Sequence, residues 1–96
     1  MSLNISTRTR DVQMRFFDAL NYLFESNEIQ GGLLEFCKRH NLNRTKYSLL
    51  KNGSSTSDAR MTYRTIDIDA LSYLCTDYGI SARWLLTGSG SMRRKK

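Results

Sequence analysis

The side chains that could act as nucleophiles, general bases or metal ligands are few and widely spaced in this chain of 96 residues. His40 is the only histidine, and it lacks a partner at catalytic spacing, so we expect a structural role for it. Cys37 and Cys75 are too few for a disulfide framework and do not have metal-ligand spacing, which predicts buried free thiols. Asp67 and Asp69 stand on different sides of a helix, where we expect a cap and a solvated side chain. We therefore predict no catalytic residue, no metal, no cofactor, and a protein that is not an enzyme.

Positive charge is the one chemical property that is concentrated in a single part of the chain. The sequence carries 15 basic and 9 acidic side chains, a formal charge of +6. Residues 1–37 carry −2 and residues 65–96 carry +2, whereas residues 38–64 alone carry +6. That segment contains a single acidic side chain, Asp58, and seven basic ones. The basic residues are Lys38, Arg39, Arg44, Lys46, Lys51, Arg60 and Arg64. A clustered positive field attracts polyanions, which favours nucleic acid first and an anionic membrane surface second.

Length and composition favour one compact domain. A chain of this size suits a single core, and 40% of its residues are hydrophobic, which argues against wholesale disorder. No apolar run approaches the roughly 18 residues of a membrane span, and the first ten residues lack the apolar centre of a secretory signal. We expect a cytoplasmic protein with a flexible N-terminal arm (1–9), a domain (10–90) and a disordered basic tail (91–96).

Hydrophobic periodicity predicts an all-α fold of five helices. In residues 10–28, apolar side chains recur at the three-and-four spacing of an amphipathic helix. This helix is expected to end near Asn27, with Ile29 returning to the core. The remaining helices are predicted over 33–40, 44–52, about 67–79, and 81–88. A strand remains the alternative for MTYRTIDI, residues 61–68, because this run is rich in β-branched and aromatic side chains.

A tight turn is predicted between the second and third helices. Asn41 follows the second helix where the chain must turn, and Asn tolerates a left-handed backbone better than other non-glycine residues. Leu42 is expected to be a buried anchor, Asn43 to cap the third helix, and Gly53 to end it. Two helices joined in this way form the helix-turn-helix arrangement.

These residues resemble a known family. The stretch EFCKRHNLNRTKYSLLKNG, residues 35–53, is similar to the helix-turn-helix of lambda-repressor-like (Xre-type) DNA-binding domains. Asn41 stands at the family's turn glycine and Asn43 at its Ser cap. YLCTDYGISARWLLTGSG, residues 73–90, resembles the family's closing helices. The resemblance covers about residues 12–90 and implies a five-helix domain that binds double-stranded DNA.

The third helix offers a face that suits DNA contact. At about 100° per residue, Tyr47 and Leu50 lie on one side of the helix, which we expect to face inward. The other side is free of acids and small enough to approach a major groove. Base contacts are expected from the first turn and the outer face, and phosphate contacts from the flanking lysines. The predicted DNA-binding residues are Arg44, Thr45, Lys46, Ser48, Leu49, Lys51 and Asn52.

Each of these assignments has an ordinary alternative. Arg44, Lys46 and Lys51 would be solvated side chains on any basic surface helix. Leu49 would contact either a thymine methyl or another protein. The N-terminus of the second helix, whose first N–H groups lack helical partners, is a further candidate for a phosphate contact.

The expected function is that of a sequence-specific, repressor-type transcriptional regulator of prokaryotic origin, located at the nucleoid. One short helix reads few bases, so we expect a homodimer through the fifth helix, with Trp84, Leu85 and Leu86 in the contact. No membrane partner and no small-molecule ligand are expected. The alternative is a protein-interaction module, such as an antitoxin-like adaptor, with the same fold and no DNA readout. Leu33, where the family often has Gln, and Leu49 favour that alternative.

Overall fold

Five helices form the part of the chain that the computed structural model describes, residues 7–52 and 66–93 without the side chains of Leu49 and Asn52. The helices are α1 (Thr7–Glu25), α2 (Gly32–Arg39), α3 (Arg44–Asn52), α4 (Ile68–Asp77) and α5 (Ala82–Thr87). No strand occurs within these residues; Ile80 and Arg93 form an isolated antiparallel bridge. The all-α, five-helix class is therefore confirmed for the described residues. Gly53, the predicted loop after it and most of the alternative strand lie outside them.

The first helix follows the apolar pattern of its sequence. Phe16, Ala19, Leu20 and Leu23 are buried along one side of α1. The helix begins at Thr7, three residues before the predicted start, so the last residues of the expected arm are helical. It ends at Glu25, and the chain then reverses through a left-handed residue.

That reversal depends on Asn27, which has a φ of 62°. The Asn27 N–H donates to the carbonyl of Phe24 (3.1 Å), and the next N–H, from Glu28, donates to that of Leu23 (2.9 Å). This pair of bonds is the Schellman arrangement, which satisfies the last carbonyls of a helix. Ile29 consequently returns to the core with 3% of its surface exposed, as predicted.

The turn between α2 and α3 uses the same device. Asn41 has a φ of 56°; its N–H donates to the Lys38 carbonyl (3.4 Å), and that of Leu42 donates to the Cys37 carbonyl (2.8 Å). Asn43 then starts α3, because its Oδ1 accepts the N–H of Lys46 at 3.0 Å. The predicted left-handed turn and side-chain cap are both confirmed. Leu42 is half-buried against the core, less enclosed than expected.

An aromatic group joins the helices around this turn. The ring of Phe16, on α1, lies 6.1 Å from that of Phe36 on α2 and 6.0 Å from that of Tyr47 on α3, measured between ring centroids. These three side chains are fully buried. The first contact is edge-on and the second is tilted, and aromatic contacts at such distances add to the free energy gained from burial. The three helices therefore share one core.

His40 connects the turn to α4. Its ring stacks on that of Tyr73 at 4.3 Å between centroids, and its Nε2 lies 3.0 Å from the hydroxyl of Tyr78. Burial lowers the pKa of His40, the nearby carboxylate of Asp77 opposes this shift, and the charge of Arg39 adds to it. A packed imidazole between two tyrosines agrees with the structural role predicted for this residue.

Caps predicted near the C-terminus are also present. The Trp84 N–H donates to the hydroxyl of Ser81 (3.2 Å) at the start of α5, and Gly88, with a φ of 80°, ends the helix. Arg15, from α1, donates through Nε to the Leu85 carbonyl at 2.8 Å. A cation at a helix C-terminus is favourable, because the last carbonyls lack helical partners. This bond joins the first helix to the last helix of the described chain.

The beginning of the expected disordered tail is held against the domain. Ser81 donates its N–H to the Met92 carbonyl at 2.7 Å, and Met92 packs against the core. Arg93 forms an ion pair with Glu28 at 2.7 Å, and its guanidinium lies 5.7 Å from the ring centroid of Tyr22. Residues 91–93 therefore pack against the rest of the described domain; residues 94–96 lie outside the described part. None of the described helices has the length and apolar character needed to cross a membrane.

The left-handed backbone at Asn41 predicts a specific pattern of substitution. Asn41→Ala should lower the free energy of unfolding by about 1 kcal/mol, because a Cβ without a polar end is disfavoured at positive φ. Asn41→Gly should leave it nearly unchanged. Urea denaturation measures both values, with Asn21→Ala, an exposed Asn within α1, as the control. An Asn41→Ala variant as stable as the Asn21→Ala control would contradict the role of this turn.

The lowered pKa of His40 predicts a loss of stability in mild acid. The unfolded chain binds a proton near pH 6.5, whereas the folded chain binds it only at lower pH. The free energy of unfolding should therefore keep its full value above about pH 6.5. It should decrease as the pH falls from there toward the pKa that His40 has in the folded chain. Urea denaturation between pH 7.5 and 5 measures the decrease. In His40→Gln the decrease over this interval should disappear, and its persistence would assign the pH dependence to other groups.

Candidate nucleic-acid interface

The third helix lies with its predicted inner side in the core. Tyr47 is completely buried and Leu50 is 9% exposed, which confirms the inward pair. Arg44, Thr45 and Lys51 are exposed. Since the helix carries no acidic side chain, its exposed surface presents only polar and positively charged groups among the described side chains.

The predicted site residues divide between the two edges and the outer face of α3. Arg44 and Lys51 are seven residues apart, so they share one edge and are separated by about 10 Å along the axis. Thr45 is on the outer face, and Ser48 lies between that face and the Arg44 edge, half-buried and engaged in a contact of its own. The side chains predicted for the rest of this face, Leu49 and Asn52, lie outside the described part.

Lys46 is on the opposite edge, where it meets another helix. Its Nζ lies 2.8 Å from Oδ1 of Asp67, and the two side chains are 19% and 45% exposed. The same ammonium lies 5.7 Å from the ring centroid of Tyr47. Lys46 was predicted to contact DNA phosphate. In the free protein its charge is paired with a carboxylate of the same chain, and the phosphate contact stays a prediction.

The second oxygen of Asp67 binds Tyr47. The Tyr47 hydroxyl donates to Oδ2 at 2.7 Å and accepts the backbone N–H of Asp67 at 3.1 Å. Asp67 immediately precedes α4 but makes no side-chain hydrogen bond to the N–H groups of that helix. Asp67 is thus at the predicted N-cap position of α4, but the predicted side-chain cap is wrong. Its carboxylate binds Lys46 and Tyr47 of α3 instead.

The contacts among Lys46, Tyr47 and Asp67 determine the protonation states of the carboxylate and the phenol. Hydrogen bonds from Lys46 and then Tyr47 lower the pKa of Asp67, so the carboxylate is ionised at neutral pH. Burial, reinforced by the charge of Asp67, raises the pKa of Tyr47, so the phenol keeps its proton. A protonated phenol can donate to the carboxylate and accept from the backbone at the same time.

The sequence did not reveal this role of Asp67. The available signal was a tyrosine on the inward side of α3, whose hydroxyl needs a partner when its ring is buried. Asp67 is 20 residues away along the chain, so periodicity and capping patterns do not identify it as that partner.

The two ends of α2 carry side chains of opposite charge, with two basic residues in its last turn and one acid in its first turn. Lys38 and Arg39, in the last turn of α2, are exposed. At the other end of α2, Glu35 occupies the first turn, and a Cβ on Gly31 would lie 2.5 Å from that of Glu35. A carboxylate in the first turn of α2 repels anions from the N-terminus of this helix. The phosphate contact predicted for that terminus is disfavoured by this charge.

The residues predicted for the dimer contact on α5 differ in their exposure, and the dimer itself stays a prediction. Leu85 is 1% exposed and belongs to the core of its own chain, so it is not available to a partner. Leu86 is 54% exposed, and Trp84 is half-buried against the core. Trp84 and Leu86 remain candidates for a contact between copies.

No candidate metal centre accompanies the basic surface in the described residues. Within them, no group of three or more His, Cys, Asp or Glu side chains could hold a metal ion. Cys37 is buried as predicted, and burial raises the pKa of its thiol; Cys75 is half-buried. The described part of α3 presents a positively charged edge and an outer face without acidic side chains, which suits the binding of an anion.

Comparisons of the chain with protein-family models, with curated proteins and with solved structures found no match. The resemblance to lambda-repressor-like domains therefore stays a prediction made from the residues of the sequence.

Proposed function

We propose that this protein is a sequence-specific regulator that binds double-stranded DNA, with α3 in the major groove. The proposal rests on the orientation of α3 in the fold. Its inner pair is buried, its start is fixed by the turn at Asn41 and the cap at Asn43, and its outward side carries no acid.

The dimensions of α3 agree with this use. A major groove about 12 Å wide admits one α-helix when the side chains facing the bases are small. Thr45 and Ser48 are short, so the helix backbone can approach the base edges. Arg44, exposed in the first turn, has the length and the forked donors to bind a guanine or a phosphate.

The phosphate contacts are assigned to exposed basic side chains. Lys51 stands about 10 Å along the helix from Arg44, on the same edge. Lys38 and Arg39, exposed near the turn, add to the positive field that steers a polyanion toward this surface. Phosphate contacts hold the protein in register on the duplex, and base contacts provide the sequence preference.

Two copies are required for useful specificity, because a single short helix reads too few base pairs. The exposed Leu86, beside the half-buried Trp84 on α5, supports a contact between copies through this helix. A repressor-type regulator of this size would act by occupying its operator. The protein would accordingly be found at the nucleoid in the cytoplasm.

A protein-interaction module is the second candidate function. Leu34, in the first turn of α2, is 54% exposed and favours this candidate, because an exposed apolar side chain suits a protein partner. Leu33, which first suggested this function, is half-buried against the core and leaves less apolar surface for a partner than expected. The absence of salt-dependent binding to duplex DNA would favour this candidate.

Salt dependence and point variants test the DNA proposal. The logarithm of the binding constant for duplex DNA should fall steeply with the logarithm of salt concentration, by about 0.9 for each phosphate contacted. Lys51→Ala should reduce this slope by about 1, with similar affinity losses on all sequences. Arg44→Ala should cost about 1–3 kcal/mol on the preferred sequence and relax the preference. Fluorescence anisotropy at several salt concentrations measures these values.

The preferred sequence comes from selecting bound duplexes in a random pool, where two half-sites at fixed spacing would report the dimer. Arg10→Ala is the matched control, because it removes an exposed positive charge from α1 and should leave the sequence preference unchanged. A slope near zero for the unaltered protein would refute DNA binding. An Arg44→Ala variant that keeps both affinity and preference would refute the placement of α3.

A further inference from the structure

We propose that Asp67 is a positioning residue for α3, holding the proposed recognition helix at a fixed rotation so that sequence discrimination depends on a side chain that does not contact DNA. This inference rests on the proposed function. It adds a residue outside α3 to the set that determines specificity.

The first step is the geometry of the contact. One carboxylate binds two consecutive residues of α3: Oδ1 lies 2.8 Å from the Lys46 ammonium, and Oδ2 accepts the Tyr47 hydroxyl at 2.7 Å. The Asp67 N–H adds a third bond, to the oxygen of that hydroxyl, at 3.1 Å. The bonds come from two directions around the helix, about 100° apart, so together they oppose rotation in either sense.

The second step is that the Tyr47 hydroxyl is bonded to Asp67 both as a donor and as an acceptor. Its side chain is completely buried, and a buried hydroxyl that loses its hydrogen bond is costly. The ring also packs against Phe16 of α1, with 6.0 Å between the ring centroids. Asp67 therefore completes a connection from the core, through α3, to the start of α4.

The third step is the sensitivity of base reading to rotation. The turn at Asn41 and the cap at Asn43 fix the start of α3, whereas the middle of the helix is fixed by Tyr47 and Lys46. A helix with its side chains has a radius of about 5–6 Å, so a rotation of about 10° moves an outer atom by about 1 Å. Hydrogen bonds to base edges tolerate only a few tenths of an ångström. Loss of the Asp67 contact should therefore weaken specific binding more than non-specific binding.

The fourth step concerns charge. Because the Lys46 ammonium is paired with Asp67, it should contribute little to the release of counterions from DNA. The two lysines of α3 thus have different roles: Lys51 contributes to phosphate binding, and Lys46 contributes to the orientation of the helix. The two roles give different salt dependences.

The experiment compares variants that keep the shape of the side chains. Tyr47→Phe removes the hydroxyl and keeps the ring, and Asp67→Asn removes the charge. For each variant, the ratio of affinities for the selected duplex and for a scrambled duplex is measured by anisotropy at several salt concentrations. Tyr73→Phe is the matched control, because Tyr73 stacks on His40 with its ring and is remote in sequence from α3.

Tyr47→Phe should lower the affinity ratio about fivefold, the equivalent of one net hydrogen bond, with an unchanged salt slope. Asp67→Asn should lower the ratio by a similar factor and increase the slope by up to about 0.9, because it releases the Lys46 ammonium to contact a phosphate. Tyr73→Phe should keep the ratio. Lys46→Met should also keep the slope, whereas a decrease of about 0.9 would show that Lys46 binds a phosphate and overturn its assigned role. Thermal denaturation confirms that each variant is folded at the assay temperature.

Hydrogen exchange provides a readout without DNA. In Tyr47→Phe and Asp67→Asn, the amides of α3 should exchange faster while those in the middle of α1 keep their rates. Unchanged exchange in α3 together with an unchanged affinity ratio would overturn the inference while leaving DNA binding intact. An unaltered protein that prefers no duplex would overturn the proposed function itself, and the exchange rates would then show separately whether Asp67 holds α3.

Discussion

The buried hydroxyl of Tyr47 imposes the constraint on which the arrangement of α3 depends. The ring lies in the shared core of α1, α2 and α3, where burial of its apolar surface is favourable. Its oxygen is carried into the same region and must be hydrogen-bonded there. Asp67 meets that requirement with its carboxylate and its backbone N–H. The start of α4 is consequently tied to the middle of α3.

Other parts of the fold support this connection from a distance. Asn41 and Asn43 set the direction in which α3 leaves α2, and His40 packs the turn against α4 through Tyr73. Arg15 joins α1 to the end of α5. The surface available for contact is therefore presented by a helix that is held at its start by a turn and at its middle by an ion pair and a phenol. Preorganisation of this kind reduces the free energy spent on ordering when a partner binds.

The ion pair between Lys46 and Asp67 reduces the positive charge that α3 can offer to an anion. By sequence, Lys46 and Lys51 are equivalent basic residues of one helix. In the folded chain they lie on different edges: Lys51 is exposed, and Lys46 is paired with Asp67. A count of basic residues thus overstates the charge that α3 offers to a phosphate. Burial has a comparable effect on α5, where Leu85 belongs to the core and Leu86 remains accessible.

The sequence by itself determined the helices, the left-handed turn at Asn41, the caps at Asn43 and Ser81, and the inward side of α3. These features depend on backbone preferences and on hydrogen bonds between residues at most five positions apart, so the local order of side chains is sufficient to predict them. Only the tertiary structure decided that Asp67 binds Lys46 and Tyr47, that Arg93 reaches Glu28, and that Leu85 is buried. Those contacts join residues that are 20 to 65 positions apart or depend on which helix packs on which side. The packing of whole helices sets such distances, and no local pattern of residue types encodes it.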